Sequence, residues 1–190
     1  MLDNVRRDLE RAVLFNQGER GGFALLRELF NPGTQAILVY RFGRWADRQI
    51  APLRFVLRVI HFLLTYVFAW RVGIFIPPRA EIGPGLVIHT WGGGVFLPSA
   101  RIGRDLTIIG GGVLMDYETR EIGDEVNVGA GTKVVGKIRI GHRVRTGPNS
   151  VIQSDVPDDM IAFGNPARFM RRFVRGPTET RTADAMTLAR

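Results

Sequence analysis

An aliphatic side chain returns every six residues through the middle of this 190-residue chain. It falls at Ile76, Ile82 and Ile88, then at Ile102, Ile108 and Leu114. The beat resumes at Ile122, Val128, Val134 and Ile140 and continues through Thr146 to Ile152. Gly follows that position at Gly83, Gly103, Gly123, Gly129, Gly141 and Gly147. A six-residue period with one inward aliphatic corner and a turn residue after it is the hexapeptide pattern of a parallel β-helix. Each unit is a short strand plus a corner, and three units close one triangular coil. No unit buries its apolar corner alone, so coils must stack. The Gly residues are expected at corners where the backbone turns sharply or takes φ above zero.

Residues that keep the beat are read as structural, so function is sought where it breaks. Between Ile88 and Ile102 the aliphatic positions are two residues out of phase, across His89-Thr90-Trp91-Gly92-Gly93-Gly94. Between Leu114 and Ile122 there are two extra residues, across Met115-Asp116-Tyr117-Glu118-Thr119-Arg120-Glu121. Insertions in a solenoid become loops on one face, and loops on a rigid scaffold carry binding and catalytic groups.

Composition narrows the chemistry. The chain is 45% apolar, enough for a real core, and has no cysteine, which excludes a disulfide framework, a thiolate metal site and a cysteine nucleophile. Its three histidines, His61, His89 and His142, are far apart, so no metal is expected. The net charge of +8 calls for an anionic partner. No nucleic-acid module or basic-aromatic patch is present, which leaves a phosphorylated small molecule or an anionic membrane surface.

The first 75 residues read as a helical region. Residues 3–15 form an amphipathic helix, Phe23 to Phe30 a second, and Asn31-Pro32-Gly33 ends it. Thr34 is placed to cap a third helix from Gln35 to about Gln49. Pro52 opens a fourth, Leu53 to about Ile74, the most apolar of the set. Its run from Val59 to Trp70 is too short to span a bilayer, and Arg54, Arg58 and Arg71 bracket it. It is either packed against neighbours or lies in a membrane interface through residues 53–74. The charged N-terminus lacks the apolar stretch of a secretory signal, so the protein is expected in the cytoplasm, with the inner membrane surface as a possible location. The β-helix with its exit loop is expected over 76–173, starting at Pro77-Pro78, and a disordered tail over 174–190.

Two phrases carry a family resemblance. NPGTQAILVYRFGRW, and IGDEVNVGAGTKVVGKIRIGHRVRTGPNSVIQSDVPDDMIAFGNPAR, resemble the helical lead-in and the last coils of the serine acetyltransferase branch of hexapeptide-repeat acyltransferases. The chain also resembles O-acetyltransferases of polysaccharide assembly. The resemblance implies a mainly β protein, a left-handed parallel β-helix behind an N-terminal α-helical region. It implies a homotrimer, sometimes paired into a hexamer, that moves an acetyl group from acetyl-CoA to a hydroxyl.

The small residues Gly129, Ala130 and Gly131 suit close approach of a pantetheine arm, whose amides could pair with backbone groups there. Arg143, Arg145, Arg168 and Arg171 suit its phosphates. The family places the adenine end near the segment Gly164-Asn165-Pro166-Ala167-Arg168, which also reads simply as a turn that stops the helix; Gly147 joins this set.

The acceptor site departs from the family. Attack of a hydroxyl on a thioester needs a base, and His suits neutral pH. The serine enzymes carry an Asp-His pair in the first broken coil and a second His before the last coils. Here those positions read His89 and Thr90, and then Thr119 or Arg120. His89 is the candidate base, with Asp116 and Glu118 placed either to orient its ring or to bind acceptor hydroxyls. Thr90, Trp91, Tyr117 and Glu118 are the candidate acceptor-binding residues, Trp91 and Tyr117 offering stacking surfaces or ordinary packing. The lost pair favours a saccharide or lipid-linked saccharide acceptor; a divergent serine acetyltransferase and an inactive CoA-binding scaffold are the alternatives. His142 is expected in solvent and His61 in packing.

Overall fold

Pro and Gly divide the first seventy residues into helices. The computed structural model describes residues 2–17, 22–89, 94–97, 101–111, 113–115 and 121–171. Within these, α1 is Leu2–Gln17, α2 Gly22–Leu29, α3 Pro32–Ala46 and α4 Ala51–Val72. Asn31, not Thr34, caps α3: its side-chain oxygen accepts from Gly33 N at 2.9 Å, and Pro32 fills the first helical turn. Proline at that place loses no bond, because its missing N–H would have had no helical partner. Thr34 lies buried one turn in and donates its hydroxyl to Glu28. Gly73, in the left-handed region at φ 67°, stops α4.

The β-helix begins at once, ahead of the Pro77-Pro78 expected from sequence. In chain order its strands are β1 (Ile74–Phe75), β2 (Glu81–Ile82), β3 (Val87–His89), β4 (Val95–Phe96) and β5 (Arg101–Ile102). Then come β6 (Thr107–Ile109), β7 (Val113–Met115), β8 (Glu121–Ile122), β9 (Asn127–Val128) and β10 (Lys133–Val134). The series closes with β11 (Arg139–Ile140), β12 (Arg145–Thr146), β13 (Val151–Ile152), β14 (Met160–Phe163) and β15 (Arg168–Arg171). Through β13 each strand stacks in parallel on the one three before it, and β14 stacks on β12. This gives three sheets: β1-β4-β7-β10-β13, β2-β5-β8-β11, and β3-β6-β9-β12-β14-β15. Only β15 is antiparallel, folding back on β14 as a hairpin at the end of the stack. The coils form the left-handed β-helix.

The six-residue beat is the inner wall. Ile76, Ile82, Ile88, Ile102, Ile108, Ile122, Val128, Val134, Ile140 and Ile152 are at most 6% exposed. A second inward position repeats two residues earlier, at Ala80, Leu86, Leu106, Val126, Ile138 and Val144, while Val156 pairs with Ile140 and takes the beat position itself. Thr132 and Ser150 take the same place, and their hydroxyls donate to Gly129 O at 2.7 Å and Gly147 O at 2.8 Å. Each fully buried Leu, Ile or Val contributes roughly 1.5–3 kcal/mol. At the first break the inward pair returns as Val95 and Leu97, nine residues after Ile88, and β4 still joins β1 to β7. Both breaks therefore leave the coil stack intact.

The phased glycines act differently from expectation. None of the six has positive φ; the left-handed residue comes two positions later, at Gly85, Asp105, Glu125, Gly131, Arg143 and Asn149. What the six sites require is the absence of a Cβ, which would fall 2.3–3.1 Å from an atom of the next coil.

α1 and α3 are locked onto the first coil by a buried ion pair. Arg41 of α3 donates from Nε to Asp8 Oδ2 of α1 at 2.8 Å, and the two residues are 4% and 2% exposed. Arg41 also donates to Ile82 O at 2.8 Å and Gly83 O at 2.6 Å. Asp8 Oδ1 accepts from Gly85 N at 2.7 Å and Leu86 N at 2.9 Å. Burial pushes the Asp8 carboxyl up, and Arg41 with the two backbone donors opposes that rise. Beside the pair, Tyr40 donates its hydroxyl to Ala80 O at 2.7 Å.

α4 turns His61 inward, where burial lowers its pKa and Thr65 Oγ1 lies 3.3 Å from Nε2. Much of its remaining surface is apolar and open, including Phe55, Phe62 and Tyr66 at 71%, 67% and 56% exposed. Among the described residues, no helix is long and apolar enough to cross a membrane.

Removing one member of a buried, hydrogen-bonded ion pair strands the other charge. Arg41→Met should therefore cost about 3–5 kcal/mol in denaturant unfolding. A loss below about 1 kcal/mol would show that the helices are held by packing alone.

Candidate active site

Register places several of the candidate residues on one line. In the six-stranded sheet, Ile88, Ile108, Val128, Thr146 and Ala162 point inward, one per coil. The next residue on each strand faces out. His89 pairs with Ile109, and Phe163 pairs with Arg168. Between them, Gly129 and Gly147 follow β9 and β12 at the same level, since Val128 pairs with Ile108 and Thr146 with Ala162. The outer face thus carries a column, His89–Ile109–Gly129–Gly147–Phe163–Arg168. Two glycines at its centre form a floor of bare backbone between the half-exposed Ile109 and Phe163. Five strand spacings of about 4.8 Å make it ~24 Å long.

The corner Gly129-Ala130-Gly131 is largely committed to the stack. Gly129 N donates to Thr146 Oγ1 at 3.0 Å and so is not free to donate to a ligand, and Gly129 O accepts from the Thr132 hydroxyl. Gly131 N donates to Gly111 O at 2.9 Å, and Ala130 O accepts from Asn149 N at 2.7 Å. Four of the six backbone polar groups of this corner are therefore used, three of them between coils and Gly129 O within its own coil. That leaves steric access, rather than backbone pairing, as the contribution of Gly129 to the column.

The arginines divide into two kinds. Arg143 sits in the left-handed corner and donates from Nε and Nη2 to the two carboxylate oxygens of Asp159, both at 2.7 Å, which raises its pKa. Its charge is spent within the corner. Arg145 and Arg168 are exposed on the sheet, Arg168 at the far end of the column, and Arg171 is exposed on β15. Asn165 and Pro166, joined by a cis peptide bond, form the exposed turn between β14 and β15. The segment is thus the tip of the terminal hairpin. Its neighbour Ala167 donates its N–H back to Val151 O at 2.8 Å.

His142 is half-exposed, as expected, and its Nδ1 accepts from Asp124 N at 3.0 Å. Asp124 itself is held below the usual carboxylate range, first by the Arg104 N–H.

His89 is half-buried and is covered by elements that sequence reasoning did not connect to it. The Phe15 ring packs against it edge to face, with centroids 5.7 Å apart and planes at 68°, and Asn16 Oδ1 meets His89 Nδ1. Asn16 in turn donates from Nδ2 to Glu28 Oε1 at 2.9 Å. The only hint in the sequence was that α1 carries polar residues beyond its apolar face. Thr90, Trp91, Asp116, Tyr117 and Glu118 lie outside the described residues, as do Thr119, Arg120 and the tail 174–190. Among the described residues, no cluster of three or more His, Asp or Glu side chains could hold a metal ion.

A hexapeptide β-helix behind a helical lead-in is the architecture of a class of acyltransferases, and comparison with known proteins narrows it. No family model matches the chain. It is 34% identical over 174 residues to the serine acetyltransferase of Helicobacter pylori, covering 88% of this chain and 96% of that enzyme. It is 35% identical over 160 residues to the serine acetyltransferase of Synechococcus elongatus, covering 80% of this chain but only 62% of that one, under two thirds of its length. Soybean serine acetyltransferase, solved in complex with serine, matches at a TM-score of 0.72 with 28% identity, over 88% of this chain and 68% of that one. The chain belongs to the serine acetyltransferase family.

Proposed function

We propose that this protein transfers an acetyl group from acetyl-CoA to the hydroxyl of serine, with His89 as general base. The observation that supports it most is the column on the outer sheet. It leads from an exposed arginine, Arg168, across two side-chain-free residues to an imidazole. An extended acetyl-CoA fits that layout. Its phosphates lie by Arg168 and Arg145, where guanidinium groups form paired bonds to phosphate oxygens. The pantetheine arm runs over Gly147 and Gly129, and the thioester reaches His89.

The chemistry then follows from position. His89 takes the serine hydroxyl proton as the oxygen attacks the thioester carbonyl. The tetrahedral intermediate collapses with cleavage of the C–S bond, and the proton passes from the imidazole to the departing thiolate. Serine is favoured over the saccharide acceptor suggested by the missing Asp-His pair, because the relatives named above are serine enzymes and none is named for a saccharide. Thr90, Trp91, Asp116, Tyr117 and Glu118 are assigned to the acceptor side on sequence grounds.

The column has one wall in a single chain, which supports a homotrimer whose neighbouring subunit supplies the other. We assign the open face of α4 to an anionic membrane surface. It has aromatic residues at Phe55, Phe62 and Tyr66, arginines at positions 54 and 71 besides Arg58, whose Nε donates to Asp47 Oδ1 at 2.7 Å, and no acidic residue of its own. Pairing of two such helices would set arginines against arginines, whereas anionic lipid complements them.

Thiol release with acetyl-CoA, tested against serine and a panel of sugars and nucleotide sugars, decides the acceptor. Serine should be the acceptor used. His89→Ala should lower kcat by about 10²–10⁴-fold, and Arg145→Ala with Arg168→Ala should raise KM for acetyl-CoA. Turnover of sugars alone would restore the saccharide reading, and CoA binding with no turnover would leave a scaffold. Sedimentation reads the assembly. A mass of three chains is expected, with pelleting on phosphatidylglycerol vesicles, but not phosphatidylcholine vesicles, that Phe55→Ser with Phe62→Ser abolishes. A monomer, or no vesicle binding, would contradict the respective assignment.

A further inference from the structure

The environment of His89 is built by α1 and α2, and its hydrogen bonds have a direction that the atoms themselves impose. Glu28 is fully buried, at 0% exposed, and its Oε1 receives the Thr34 hydroxyl and the Asn16 amide. A carboxylate only accepts, so Asn16 must turn its NH2 group toward Glu28. That turns the Asn16 carbonyl oxygen toward His89 Nδ1. A carbonyl oxygen also only accepts, so Nδ1 must carry the hydrogen. In a neutral imidazole with Nδ1 protonated, Nε2 holds the lone pair.

We propose that Glu28 and Asn16 are positioning residues that fix His89 as the Nδ1–H tautomer and so present Nε2 as the base. The proposal rests on the reading of His89 as the general base given above. The serine enzymes place a carboxylate and a histidine together in the β-helix, whereas this chain takes its orienting group from the helices packed on the first coil. During transfer, Nε2 takes the acceptor proton and the ring becomes imidazolium. The Asn16 carbonyl then holds the Nδ1–H of a charged ring, a stronger bond than the one it makes to the neutral ring. When the C–S bond breaks, Nε2 returns the proton to the thiolate, and the starting tautomer is restored. The Phe15 edge against the ring limits the alternative of a flipped imidazole.

The tautomer is directly observable. In 15N-histidine spectra at alkaline pH, with His89 assigned by its loss in His89→Gln, the wild-type ring should show Nδ1 protonated and Nε2 bare. Asn16→Leu should move the population toward the Nε2–H form, which free imidazoles prefer, and lower kcat by about 10–100-fold, below the full general-base contribution, with KM for acetyl-CoA unchanged. Asn16→Asp combined with Glu28→Gln rebuilds the chain with donor and acceptor exchanged at the buried end, and should restore both the spectrum and kcat. An Nε2–H tautomer in the wild-type protein, or a tautomer indifferent to Asn16→Leu, would overturn the proposal even if Asn16→Leu proved unstable, because the wild-type spectrum alone can do so. The spectrum needs no turnover. Absence of transferase activity would count against the proposed function, and the relay would be judged by the spectrum.

Discussion

The buried pair of Asp8 and Arg41 is the contact on which the rest of this structure depends. A solenoid exposes unpaired backbone groups at its first coil, and repeat proteins need a cap there. Here the cap is ionic. Arg41 takes the carbonyls of Ile82 and Gly83, and Asp8 takes the N–H groups of Gly85 and Leu86. Two charges removed from water are tolerable because each satisfies the other and both satisfy backbone groups that would otherwise be stranded. Arg11 adds a second tie, donating to Leu106 O at 3.2 Å and Thr107 Oγ1 at 2.8 Å. Burial lowers the pKa of that guanidinium, and Asp105 opposes the effect.

The geometry of the site follows from that clamp. Asp8 and Arg11 fix α1 along the edge of the six-stranded sheet, so its last turn lands over β3. Asn16 is eight residues beyond Asp8, a little over two turns of helix, and it meets His89 there. Glu28 comes from α2 and is held by Thr34 near the start of α3. Three helices thus converge on one imidazole at the end of a column that the β-helix builds by register alone. In the proposed reaction the β-helix would supply a straight track for the donor, and the helices the orientation of the base.

The repeat was legible because it is local: residues six apart obey one rule, and burial bears it out at most positions of the beat, although at Leu114 the register puts Met115, one residue on, level with the inward Val134. The inward residues two places earlier follow the same period and could have been read with them. The role of the phased glycines was not legible from sequence, because their need is set by an atom of the next coil, 16 to 21 residues away. The cap of α3 was misplaced because Asn31-Pro32 can both end one helix and begin the next. The break in the beat drew attention to His89 but gave none of the ring's contacts. Asn16 is 73 residues away in the chain, and nothing in a single sequence marks that contact. Arg143 shows the opposite failure: a cluster of basic residues looked free for phosphate, and a carboxylate one coil on had already claimed one of them.

The account centres on His89 as the group that receives the acceptor proton at the end of the donor column. A crystal structure of the protein with CoA and serine bound tests this most directly. It should show the thiol end of CoA and the serine hydroxyl beside His89, with Nε2 within about 3.2 Å of that hydroxyl and Nδ1 still on Asn16. A CoA bound away from Gly129 and Gly147, or a serine hydroxyl held by another side chain with His89 turned aside, would contradict it.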